Sequence, residues 1–294
     1  MRVVYLVVAL LMILAATVCA DVTVTEKLST SGMMGMARTE GTEVTYIKGD
    51  KIRTETTMSG PAVPGGSPQT TYTAIVRLDK GVMWYLDDAE STYFESNVGE
   101  LFFGEESTQV SVKVKDLKTT DTGKEKVVAG YKCRGVKVEL AFETEAGEKP
   151  VMTQASGMFW LAKEDKVTKE LRDAWEKAIK ISVANTRGQM KDFMEQMLSL
   201  SERLDGVPLA MEIEMGMDLG EADEAAEMEE AMRQMRKFAK QRGMEVEEGE
   251  DFGKITVKRE VVSISTDKLD DSLFEIPKNY RKTSSIPIPV PMGK

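Results

Sequence analysis

The chain has 294 residues, 41% of them hydrophobic and 30% charged, the make-up of an ordinary folded protein, which argues against wholesale disorder, collagen and a multi-span membrane protein. It contains no histidine and two cysteines, which removes the commonest general base, thiolate zinc clusters, iron–sulfur centres and a disulfide scaffold. A formal net charge of −10 at pH 7 opposes a phosphate-binding surface, so no nucleic-acid partner is expected.

Arg2 precedes an apolar run, Val3 to Leu14, and Ala15-Ala16-Thr17-Val18-Cys19-Ala20 then leads to the polar start Asp21-Val22-Thr23. Val18 and Ala20 occupy the positions that a signal peptidase reads before a cut at Asp21. Residues 1–20 are therefore expected to be a cleaved export signal, leaving a periplasmic or secreted protein with no stable membrane span. Two alternatives stay open: lipid modification of Cys19, and an uncleaved anchor over Val3 to Ala20, a stretch just long enough to cross a bilayer. After cleavage Cys133 is the sole thiol, read as a small half-buried apolar residue.

From Asp21 to about Trp160 the chain shows the period of two that half-buried antiparallel strands require, broken by Gly, Asp and Pro turns. Val22, Val24 and Leu28 alternate with Thr23, Thr25 and Ser29, and Val44 and Tyr46 enter a hairpin at Lys48-Gly49-Asp50-Lys51 before Ile52 to Thr56. Ala74 to Leu78 and Val82 to Leu86 flank a turn at Asp79-Lys80-Gly81, and Thr92-Tyr93-Phe94 follows Asp87-Asp88-Ala89-Glu90. Val110, Val112 and Val114, then Val136, Val138, Leu140 and Phe142, give two further one-sided runs, while Gly60 to Pro68 reads as a loop.

Near Lys163 the period becomes helical, with Val167, Leu171, Ala174, Trp175, Ala178 and Ile179 on one stripe. Gly188 interrupts it, implying a bent helix or two helices. The stripe resumes at Met190, Phe193, Met194, Met197 and Leu198 and stops at Gly206 and Pro208. Leu209, Met211, Ile213, Met215 and Met217 then alternate with acidic residues as a strand. A second helix is expected over Glu221 to Arg242, acidic at its start and basic at its end in accord with the helix dipole, with Ala225, Met228, Met232, Met235 and Phe238 or Ala239 inward. Ile255 to Lys258 and Val261 to Ile264 return to strand, Phe274 to Pro277 closes the domain, and Ile286 to Pro291 reads as extended polyproline-like chain.

Several short segments in order resemble a family of exported bacterial proteins with the LolA/LolB-like lipoprotein-carrier fold. They are Ile47 to Arg53, Met83 to Leu86 with Ser91-Thr92-Tyr93, Val128 to Cys133, Gly157 to Leu161, Leu204 to Pro208 and Leu273 to Tyr280. The resemblance implies an α+β fold in which a strongly curved antiparallel sheet, an unclosed β-barrel, has two or three helices over its concave face. It also implies carriage of acyl chains or lipidated proteins. Residues 21–280 are then one LolA-like domain and 281–294 a flexible proline-rich tail.

The methionines cluster as Met33, Met34 and Met36, as Met211, Met215 and Met217, and as Met228, Met232 and Met235. Thioether side chains adapt to irregular apolar partners, and three readings fit them: core filler, a groove for a variable apolar ligand, or weak copper(I) binding. The groove candidates are Met211, Ile213, Met215, Met217, Met228, Met232 and Met235, with Trp84 and Trp160; Trp84 and Tyr85 face opposite sides, so only one of them faces inward. Asp87-Asp88 and Asp270-Asp271 read as turn residues, and no phosphate loop, calcium loop or serine elbow is present. A monomeric, non-catalytic binder of a lipid, acyl chain or lipidated protein is expected, with no cofactor and no metal site. The competing expectation is a structural or protein-interaction module of the cell envelope with no small ligand.

Overall fold

A computed structural model describes residues 21–31, 39–59, 69–98, 111–145, 150–185, 189–218, 230, 233–234, 237, 241 and 254–284. The strands are β1 (Val22–Ser31), β2 (Thr39–Lys48), β3 (Lys51–Ser59), β4 (Gln69–Arg77), β5 (Val82–Asp87), β6 (Thr92–Asn97), β7 (Ser111–Val128), β8 (Tyr131–Glu145), β9 (Pro150–Ala162), β10 (Val207–Asp218), β11 (Lys254–Ser265) and β12 (Arg281–Thr283). All twelve lie in one curved, unclosed sheet of order β12-β6-β5-β4-β3-β2-β1-β11-β10-β9-β8-β7. Two helices, α1 (Lys166–Asn185) and α2 (Gln189–Arg203), sit between β9 and β10 in sequence. The class is therefore mostly β where α+β was expected, because only two helices accompany twelve strands among the described residues.

Two antiparallel meanders make up the sheet, β1 to β6 and β7 to β11, and the pairing of β1 with β11 joins them. Short turns set the register. Lys48 pairs with Lys51 across Gly49-Asp50, and Val128 pairs with Tyr131 across Ala129-Gly130. The positive φ values of Ala129 (48°) and Gly130 (85°) are what a two-residue turn needs to match the strand twist.

The sheet edges are managed by different means. β7 carries Lys113, Lys115, Lys118 and Lys124 and two bulges, after Val114 and after Asp121, features that blunt an edge against further pairing. At the other edge β6 is covered by three-residue β12, the one parallel strand among the described residues. β12 begins beyond Tyr280, where the tail was expected to start.

One face of the sheet, the inner face, is covered by the helices. α1 starts on a reciprocal cap, in which the Thr168 amide donates to Asp165 Oδ1 at 2.8 Å and the Asp165 amide donates to Thr168 Oγ1 at 2.8 Å. Its Leu171 and Ala174 pack on Val22, Val24, Val207 and Leu209, and Ala178 packs on Ile52, Val76, Met83 and Tyr85. Leu200 of α2 and Leu204, just past its end, cover the inner face of β8 to β10. The interruption at Gly188 thus separates two helices.

The outer face of β2 to β6 is covered as well. A 3₁₀ turn at Asp271–Phe274 and its flanks, running from Leu269 to Tyr280, pack on Tyr46, Ile75, Trp84 and Leu86. Tyr46 therefore faces outward, and Glu43, Thr45 and Ile47 are the buried inner residues of β2. Val44, two residues from Tyr46, shares its outward side.

The second expected helix, Glu221 to Arg242, lies outside the described residues except for five positions, among which Arg233 Nη2 is 3.1 Å from Glu230.

Candidate functional site

Three rows of cross-strand neighbours build the inner face of the second meander. Val136, Phe159 and Met211 form one, Val138, Gly157 and Ile213 the next, and Leu140, Ala155 and Met215 the third. Met211, Ile213 and Met215 are all buried, in one cluster with Phe142, Phe159, Val257, Leu200 and Leu204. Sequence periodicity alone places them together, because in β10 each alternates with a wet Glu. Gly157 is the small member that lets the middle row close: a Cβ there would lie 2.8 Å from Ile213 Cγ1 and 3.1 Å from the Glu212 carbonyl oxygen. Gly157→Val is expected to cost about 1–3 kcal/mol by overpacking, read as a lowered midpoint in thermal unfolding.

The remaining candidates are scattered. Met217 lies on β10, but its side chain is outside the described residues, as are Met228, Met232 and Met235 entirely and the Met33, Met34 and Met36 group. Trp84 is on the outer face, buried against Leu86 and Phe274, and its indole N–H donates to Glu95 Oε2 at 2.8 Å. Bonds from Lys282 and from Trp84 hold the Glu95 carboxyl below its ordinary range. Tyr85, its neighbour, is the residue that faces the helices, and burial pushes its phenol upward. Trp160 alternates with inward Phe159 and Leu161, so it lies outside, with Lys126 Nζ 5.9 Å from the ring centre. Neither tryptophan adjoins Met211. Cys133 is buried, and burial raises its thiol.

Among the described residues, the cavity seen between sheet and helices is small. A cavity of about 30 Å³ is bounded by Val24, Glu26, Leu171, Trp175, Ser201 and Leu204, room for one water and far below the roughly 300–1,000 Å³ of a ligand pocket. Around it, the described inner-face residues pack on one another. A larger hollow, about 710 Å³, opens on the outside of β7 to β11, where Asp116, Lys118, Glu139, Glu214 and Lys254 line it. Leu140, Ala141 and Ala155 line it as well, so its walls are mixed.

Beside the apolar rows stands a charged cluster that sequence reasoning missed. Arg259 of β11 is the cross-strand partner of Met211. Its Nη2 donates to Glu43 Oε1 at 2.7 Å and also to Glu26, and Thr56 Oγ1 donates to Glu43 Oε2 at 2.9 Å. Arg259 is 4% exposed and Glu43 2%. Burial pushes the Glu43 carboxyl upward, Arg259 pulls it down less, and Glu26 adds to the rise. The signal was available as parity: Glu26 follows inward Val22 and Val24, and Arg259 sits between inward Val257 and Val261.

Among the described residues no group of three or more Asp, Glu or Cys is placed to hold a metal ion, and no helix is long and apolar enough to cross a membrane. No curated protein matches the chain. The chain is similar in structure to a DUF1329 family protein from Desulfovibrio piger, with 12% identity, 92% of this chain and 95% of that one covered, and a TM-score of 0.27. A family model described as a domain of unknown function matches residues 31–211, well over half of the sequence, so the chain belongs to the DUF4412 family.

Proposed function

We propose that this protein is an exported, non-catalytic binder of an amphiphile, a lipid, acyl chain or lipidated protein, taken up between the curved sheet and its helices in the manner of a LolA-like carrier. The observation that carries this reading is the continuous soft apolar surface of Met211, Ile213, Met215, Phe142 and Phe159, roofed by α2. Thioether and aromatic side chains repack around flexible chains at small cost. Since the cavity beneath the helices holds only about 30 Å³, an acyl chain enters by displacing α2, replacing Leu200 and the Leu204 that follows the helix. The periplasm or the exterior is the compartment that the N-terminal signal implies, and the unclosed sheet supports the carrier reading.

The test is native mass spectrometry of gently purified protein with lipid extraction, followed by titration with a fluorescent fatty-acid series. Affinity is expected to rise up to about fourfold per added methylene, the equivalent of ~0.8 kcal/mol, until the apolar rows are filled. Absence of retained lipid together with no binding at any chain length overturns the reading.

A further inference from the structure

The two meanders meet where β1 pairs with β11, and the inner face of that seam is charged. Glu26 of β1 lies directly opposite Glu43 of β2, an arrangement of like charges that by itself weakens a sheet. Arg259 of β11 offers one nitrogen to both, so with both carboxylates ionised the buried cluster keeps one surplus negative charge. Among the described residues, the polar groups facing Glu43 are Glu26 on β1, Thr56 on β3, Tyr72 on β4 and Arg259 on β11. From α1, Arg172 shares the small cavity with Glu26, its own guanidinium bonding Glu164 at 2.5 Å and the Leu204 carbonyl at 3.0 Å.

We propose that the Glu26, Arg259 and Glu43 cluster is a proton-operated latch on this seam: uptake of one proton in acid removes the surplus charge and tightens β1 against β11, and its release toward neutrality loosens them. Glu43 takes the proton, because burial there disfavours its charged form more than Arg259 favours it. The sign follows from linkage. A carboxyl held above its ordinary 4.5 contributes stability that is fully present below that value and is lost as pH rises through the raised one. Within that window the opening equilibrium of the seam changes by up to about tenfold per pH unit. Surface carboxyls held low, Asp79 and Asp121 among them, act in the opposite sense, so the readout has to be local.

Hydrogen exchange of the full chain between pH 4.5 and 7.5, corrected for intrinsic rates, separates the seam from the rest. The expected result is that β1 and β11 amides open more as pH rises while β4 and β5 amides do not follow, and that Glu43→Gln, permanently neutral, flattens the seam profile. Equal pH dependence at seam and control strands, or an unchanged slope in Glu43→Gln, overturns the latch. Should Glu43→Gln fail to fold, the wild-type comparison of seam with control decides alone. The outcome is independent of amphiphile binding, since no ligand is added.

Discussion

Arg259→Met is expected to destabilise the protein by about 3–5 kcal/mol, a large part of a typical total of 5–15 kcal/mol. The loss does not come from packing, because methionine fills most of the space left by arginine. It comes from leaving Glu26 and Glu43, which are 8% and 2% exposed, without their shared cation at the seam. A buried ion cluster is weak evidence of net stabilisation, and its removal as a whole is often neutral or favourable. The triple variant Glu26→Leu, Glu43→Leu, Arg259→Met is therefore expected to recover most of the stability lost by the single one. Urea unfolding of the three proteins checks both statements. A single variant within 1 kcal/mol of wild type, or a triple variant no better than the single, contradicts this account.

The strands with one wet face were legible in the sequence. β1, β8 and β10 alternate cleanly because solvent or a turn holds every second residue, so Val22 and Val24, Val136 and Val138, and Met211, Ile213 and Met215 are found where periodicity puts them. The first meander was harder to read. In Val82–Asp87, Met83 to Leu86 are all buried, because α1 covers one side and the segment from Leu269 to Tyr280 covers the other, and alternation fades when both faces are dry. That is why periodicity left open which of Trp84 and Tyr85 faces inward. β9 was obscured differently: its inward positions include Ala155 and Gly157, and at Gly157 Ile213 and Phe159 occupy the space a side chain would fill. The charged cluster was least legible. Its members are 216 and 233 residues apart, and only the return of β11 to the side of β1 brings them together. A charged residue in a strand reads by default as solvated, and parity was the one hint against that.

The outer strap gives the second large effect: Phe274→Ala is expected to cost about 3–5 kcal/mol. Phe274 has no exposed surface and fills the hollow among Ile75, Trp84 and Leu86, so truncation leaves a cavity under a four-residue turn. The polar fastenings around it do not replace that contact. Lys48 Nζ reaches the Leu269 carbonyl at 2.7 Å, Arg53 Nη1 the Leu273 carbonyl at 3.1 Å, and Arg77 Nη1 Glu275 at 2.5 Å, but Glu275 is half exposed and such pairs contribute roughly 0–1 kcal/mol. Glu275→Gln is accordingly expected to stay within about 1 kcal/mol of wild type, also because Arg77 keeps Asp79 at 2.7 Å. Loss of the phenyl ring should free the strap while the meander beneath persists. β12 would then leave β6, trypsin would cut after Lys268 and Lys278 under native conditions, and Trp84 emission would shift to the red. A Phe274→Ala protein that resists trypsin as wild type does, with unchanged emission, would show that the ion pairs rather than the buried ring hold the strap closed.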